Sequence, residues 1–201
     1  MNPALAVIAA YILGAIPFGF LLVKWKTGSD VRQAGSGNIG ATNVLRTTGR
    51  LAGIATLVLD IAKGYAAVWL AGWLTAGSPL WMSAAALAVM AGHAFPVFLG
   101  FKGGKAVASF VGAFLCLTPL PLAAVTVVFF VIVAWTRHIS VGSIVGAGTF
   151  PLAVFLISHP PPPVMAAAVV GGAFIIYRHR ENMRRIREGD ENAFSFRGSR
   201  R

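Results

Sequence analysis

Apolar residues run along this chain in long blocks broken by short polar stretches. Residues 3–23, 51–74 and 80–99 each come close to the roughly 20 residues that carry a helix across a bilayer. The block 106–135 is longer and reads either as one tilted helix or as two short ones. Thr118-Pro119-Leu120-Pro121 falls near its middle, where proline removes helix hydrogen bonds and clashes with the preceding turn. Residues 141–157 and 164–177 complete the series, with the uncharged turn 158–163 between them. The pattern predicts an all-α chain.

Composition points to a membrane. The 201 residues are 57% hydrophobic and 11% charged, whereas about a quarter of a soluble domain is charged. The first block is long and lacks the basic flank of a signal peptide. Charge then fixes the number of crossings. Lys24, Lys26, Arg32, Arg46 and Arg50 lie in the first loop, Lys102 and Lys105 in a second, and Arg137 in a third. Eight arginines, beginning with Arg178, follow the last block. Basic loops collect on the cytoplasmic side. Two short spans turning at Pro119 and Pro121 put all of these loops on one side, and a single crossing does not. The expectation is one domain, 1–201, of seven transmembrane helices, with the N-terminus outside and the C-terminus cytoplasmic. The net charge of +11 then reflects topology rather than nucleic-acid binding. Cys116 has no partner for a disulfide or a metal site.

The first loop carries a glycine-rich stretch, Gly35-Ser36-Gly37-Asn38-Ile39-Gly40, that leads into Ala41-Thr42-Asn43-Val44-Leu45-Arg46. Glycine lets a backbone curl until its N–H groups converge as an anion nest. Ala41, Val44, Leu45 and Thr48 then recur at helical spacing, predicting a short interfacial helix. Asn38, Thr42 and Arg46 form a polar stripe on another face, and Ser36 or Asn38 can cap its start. A nest, a helix start and an arginine two turns on suit a phosphate. Taken alone, the stretch also fits a solvated connector.

The second loop, Gly100-Phe101-Lys102-Gly103-Gly104-Lys105, imitates a nucleotide P-loop but fails the test. Its spacing is one residue short, Ala106 stands where Ser or Thr would hold magnesium, and no strand precedes it. What remains is a diglycine beside two lysines at a helix start, a second anion site or a pair of interfacial anchors. Past the last block, His179, Asn182, Met183 and Ile186 share one helix face. His179 is a candidate general base or a donor to phosphate, or a packed interfacial histidine.

Asp60 and Lys63 lie three apart inside the second block and read as a structural ion pair. His93 closes the third block, where it caps the helix or lines a site. Ser140 and Ser143 open the sixth crossing, as caps or anion donors. No histidine is followed five positions on by aspartate, so the common acyltransferase signature is missing. There is no carboxylate cluster for a metal pair and no G-x-S-x-G elbow.

In combination, these motifs resemble the acyl-phosphate-dependent glycerol-3-phosphate acyltransferase (PlsY) family of bacterial inner membranes. The matching stretches are residues 29–32, 35–46, 60–64 and 92–105, then His179, Asn182 and Glu191 in the tail. Ala106 departs from the pattern, because the family usually continues the loop with another glycine. The resemblance implies seven spans and a cytoplasmic-side site in a multi-pass inner-membrane protein. It also implies acyl transfer from acyl phosphate to glycerol 3-phosphate in phospholipid synthesis, by a monomer needing neither cofactor nor metal. Ser36, Arg46, Lys105, His179 and Asn182 would be the catalytic set. Arg46 and Lys105 would neutralise phosphate, while Ser36 and N–H groups of both loops would hydrogen-bond it. Gly35, Gly37, Asn38, Thr42, Asn43, His93, Gly103, Gly104 and Ser143 would bind substrate. Asp60, Lys63 and Glu191 would be structural, Glu191 by pairing with an arginine. An anion transporter and an acyltransferase using a thioester donor are the rival readings.

Overall fold

A computed structural model describes residues 2–193 of the chain. Ten α-helices and two short 3₁₀ turns make up its regular structure among those residues. Among the described residues, five segments are long and apolar enough to cross a membrane, namely Ala4–Thr27, Arg50–Leu74, Pro79–Leu99, Pro119–Thr136 and Ile139–Ser158. Two apolar helices are shorter, Val107–Leu117 and Pro162–Arg178.

The first predicted block is not one helix. It divides into α1 (Ala4–Ala15) and α2 (Phe18–Thr27). Pro17 has no N–H to continue the ladder, and it pushes Ile16 to an extended conformation with ψ of 113°. α3 (Ala41–Thr48) is the short helix expected in the first loop, and α4 (Arg50–Leu74) is the second block. α5 (Pro79–Ala94) ends before Pro96, which starts a 3₁₀ turn over Val97–Leu99.

The long block divides into α6 (Val107–Leu117) and α7 (Pro119–Thr136), in keeping with the proline pair. The turn, however, centres on Thr118, with Pro119 and Pro121 inside the first turn of α7. Proline is tolerated there because those N–H groups have no helical partner. α8 (Ile139–Ser158), α9 (Pro162–Arg178) and α10 (Arg180–Glu188) follow.

The helices pack as neighbouring pairs, α1 on α5, α4 on α6 and α7 on α8, with α9 bridging α5 and α8. Small residues let backbones approach, as membrane helices require where no hydrophobic drive operates between them. Gly64 lies against the Ser109 backbone and Gly112 against that of Ile61, so α4 and α6 touch with no room for a side chain at either glycine. Two groups of buried apolar residues result. The larger joins Ala67, Val68, Ala86, Val89 and Met90 to the rings of Phe110, Phe114 and Phe150, with Phe150 edge-on to the other two. The smaller joins Val23, Val31, Ile39, Val44 and Ala52, and pins the first loop to α2 and α4. The outer surface is apolar as well. Val127, Phe130 and Val131 of α7 are more than half exposed. A surface of that kind is at home in lipid and not in water.

Candidate active site

A cavity of about 820 Å³ opens between the α4–α6 pair and the α7–α8 pair. One end is polar and is lined by Ser36, Arg46, Lys105, His179, Asn182 and Glu191. The rest is apolar, with Leu57, Ile61, Val111, Leu122, Val125 and Phe129 on its walls. Residues more than 140 positions apart in the chain meet here, and two loops and two helix starts deliver them.

The first loop is built around Asn43. Its carboxamide oxygen accepts from the Ser36 N–H at 2.9 Å. Its nitrogen donates to the carbonyls of Val31, Ala34 and Asn38 at 3.3, 3.0 and 2.8 Å. The resemblance implies substrate binding by Asn43. The residue borders the cavity, but its polar atoms are spent on folding the loop. Gly35 and Gly37 adopt positive φ of 60° and 69° to complete the curl, and neither borders the cavity. Asn38 caps Gly40 N–H at 2.8 Å. The curl presents Ser36, Thr42 and the first turn of α3 to the cavity, with Arg46 further along the same helix.

The second loop is held by the end of α5 and by Arg178. Gly103 N–H donates to Ala94 O at 3.2 Å and Gly104 N–H to His93 O at 3.1 Å. Those donors are therefore committed to the end of α5 and not to a ligand. Arg178 takes the Gly103 and Gly104 carbonyls at 3.3 and 2.9 Å. Its guanidinium also lies 5.0 Å from the centre of the Phe95 ring. Nothing in the sequence marks Arg178 as a clamp, because its partners are loop carbonyls whose direction only the fold sets. Ala106, Val107 and Ala108, at the start of α6, border the cavity.

Lys105 donates to the Asn182 carboxamide oxygen. The Asn182 nitrogen donates to Glu191 Oε1 at 2.6 Å. Glu191 also accepts from Ser140 at 2.7 Å and from Arg185 at 2.8 Å, and its carbonyl meets His138 Nε2 at 3.2 Å. The arginine pairing expected of Glu191 is thus present, and Ser140 and His138 are added holders. Burial pushes the Glu191 carboxyl up, but the bonds from Asn182, Ser140 and Arg185 outweigh it and hold the group below its usual range. The carboxylate also orients Asn182, so that the amide oxygen points at Lys105.

The Lys105 ammonium is pushed down to about 8, first by burial. Glu191 opposes that shift, and the charges of Arg185, Arg178 and Arg46 add to it. His179 is pushed down to about 4, by burial and then by Lys105. Its Nδ1 lies 2.8 Å from Ile175 O. A carbonyl only accepts, so Nδ1 carries the proton and Nε2 is left as an acceptor. A donor to phosphate is one of the roles the sequence offers His179. In this tautomer Nε2 instead accepts, as from a hydroxyl.

Ser143 borders the cavity but turns its hydroxyl to Ile139 O at 2.9 Å. His93 lies in the wall, 4% exposed, with Nδ1 toward Asp60. Asp60 and Lys63 form the expected ion pair at 2.8 Å, both buried. Lys63 also donates to Ile16 O at 2.8 Å, beside the Phe18 N–H at 3.2 Å, where α1 breaks.

The family model described as Glycerol-3-phosphate acyltransferase matches residues 4–189. Among curated proteins, the glycerol-3-phosphate acyltransferase of Geobacter sulfurreducens is 47% identical, over 96% of this chain and 98% of its own length. That of Geotalea daltonii is 44% identical, over 94% and 95%. A crystal structure of PlsY (YgiH), an integral membrane glycerol 3-phosphate acyltransferase in its glycerol 3-phosphate form, superposes with a TM-score of 0.91. It is 39% identical, with 97% of this chain and 96% of that one covered. The lysophosphatidic acid form gives 0.88 at 36% identity, covering 98% and 97%. Matched by the family model over residues 4–189 and by curated relatives over almost its whole length, this chain belongs to the glycerol-3-phosphate acyltransferase family.

Proposed function

We propose that the chain transfers a fatty acyl group from an acyl phosphate to a hydroxyl of glycerol 3-phosphate, giving lysophosphatidic acid and inorganic phosphate. One observation carries this reading. The cavity joins a cationic, buried mouth to an apolar arm, which is the shape of a phosphate attached to a fatty chain. Lys105 lies among Arg46, Arg178 and Arg185 with Glu191 as the opposing charge, so the mouth gains stability when a dianion enters.

The chemistry follows from the groups present. The hydroxyl oxygen attacks the acyl carbonyl carbon, the bond from that carbon to the phosphate oxygen breaks, and phosphate leaves. Arg46 and Lys105 neutralise the charge and align the reactants. Ser36 and the starts of α3 and α6 border the cavity, and the unpaired N–H groups of a helix start would meet the oxygens where charge develops. The attacking hydroxyl passes its proton to phosphate, while His179 Nε2 accepts from the neighbouring hydroxyl of glycerol 3-phosphate and so orients the substrate. A histidine held near 4 is a poor base at neutral pH. The apolar arm between α4, α6, α7 and α8 takes the acyl chain, and the exposed face of α7 leads from it to lipid.

The chain crosses the bacterial cytoplasmic membrane seven times, with α6 and α9 as its shorter crossings and the basic loops inside. The donor is tested by giving purified protein glycerol 3-phosphate with palmitoyl phosphate or palmitoyl-CoA. Product from the phosphate alone is expected, and product from the thioester alone would replace this reading with the thioester one.

A further inference from the structure

Lys105 ends the second loop, and that loop rests on the imidazole of His93. Gly104 stands so near the ring that a Cβ there would overlap Nε2 and crowd Cδ2 and Cε1. The other ring nitrogen, Nδ1, lies 3.6 Å from Asp60 Oδ1. Asp60 holds Lys63 at 2.8 Å, and Lys63 holds the Ile16 carbonyl at 2.8 Å. All three side chains are at most 5% exposed. A line of polar contacts therefore runs from the break between α1 and α2, across α4, to the loop that carries Lys105.

We infer that His93 is a positioning residue for acyl transfer. Asp60 and Lys63 hold its imidazole as a stop against Gly104, and the stop sets where Lys105 delivers its ammonium. This rests on Lys105 being the phosphate-binding group proposed above. The backbone bonds from Gly103 and Gly104 to α5 fix the loop on one side, and Arg178 fixes its carbonyls. The ring supplies the remaining restraint. It is rigid, and its outer edge meets a residue with no side chain.

The two glycines give a test that a general loss of structure cannot imitate. A Cβ on Gly104 would meet His93 ring atoms as its three nearest neighbours. A Cβ on Gly103 would meet the His93 carbonyl, the Ala94 backbone and Pro96. Truncating His93 therefore relieves Gly104→Ala and leaves Gly103→Ala as obstructed as before. The full chain, purified in lipid, is assayed for glycerol 3-phosphate affinity by calorimetry and for kcat and KM. Gly104→Ala is expected to weaken binding and raise KM at least tenfold. The His93→Ala/Gly104→Ala double variant should recover most of that loss, while Gly103→Ala stays impaired with or without His93→Ala. A double variant no better than Gly104→Ala would overturn the inference.

Should Gly104→Ala not fold, single variants decide. His93→Gln keeps atoms against Gly104 and should stay within about threefold of the parent affinity, while His93→Ala loses tenfold. Equal losses would overturn the inference. The binding arm needs no acyl donor, so a protein that binds but fails with acyl phosphate would refute the donor and leave the positioning role of His93 standing.

Discussion

The Lys105 ammonium donates to the carboxamide oxygen of Asn182, 77 residues further along the chain. Asn182 is turned to receive it because Glu191 takes its N–H at 2.6 Å. One carboxylate thus fixes the direction of an amide, and the amide fixes the end of a lysine. The lysine is held in place without being neutralised, which keeps its charge for a ligand.

Removing either cation at the mouth should therefore be costly. A hydrogen bond to a charged group contributes about 1.5–3 kcal/mol, or roughly ten- to a hundredfold in kcat/KM. Arg46→Ala and Lys105→Ala should each lose that much in steady-state kinetics. Lys102, exposed and away from the cavity wall, should lose little as Lys102→Ala. Equal losses at all three would point to surface electrostatics instead.

The pH profile follows from the direction of each shift. Lys105 works as the ammonium, and in the free protein it loses its proton as pH rises through about 8. kcat/KM for glycerol 3-phosphate should fall above that point, and Lys105→Arg should remove the fall because guanidinium does not titrate there. His179 is neutral above about 4, so it contributes no limb between pH 5 and 8. A rise near ~6 belongs to the substrate phosphate and should persist in His179→Gln.

His179 itself should separate orientation from proton transfer. If Nε2 orients the substrate, His179→Gln keeps an acceptor and should retain much more activity than His179→Ala, with KM for glycerol 3-phosphate carrying most of the loss. A glutamine variant as inactive as alanine, with unchanged substrate binding, would make His179 the base.

Ala106 sits at φ 63°, fully buried, at the N-terminal boundary of α6. A side chain in that region costs about 1–2 kcal/mol. Ala106→Gly should relieve it and raise the thermal midpoint by a few degrees at unchanged kcat, as followed by thermal unfolding in detergent. A lower midpoint would mean that the packing of the Ala106 methyl outweighs the backbone strain.

The helices are legible in the sequence because apolar length is a one-dimensional signal, and Arg46, Lys105, His179 and Asn182 because their loops carry recognisable spacing. What escapes it depends on partners distant in sequence. Pro17 breaks the first block beside a carbonyl, that of Ile16, to which Lys63 donates from 47 residues away. The proline pair marks a turn but not its centre, since Pro119 and Pro121 fit the first turn of α7 as well as a loop. Nor does sequence show the bonds that Asn43 and the diglycine make within the fold. Arg178 is invisible for the same reason.

The most direct measurement follows inorganic phosphate and lysophosphatidic acid together, using purified protein, palmitoyl phosphate and glycerol 3-phosphate. Phosphate release should require glycerol 3-phosphate, match lysophosphatidic acid one for one, and vanish in step with it in Lys105→Ala. Lysophosphatidic acid formed without phosphate release, or phosphate released at the same rate without glycerol 3-phosphate, would contradict direct acyl transfer between the two substrates.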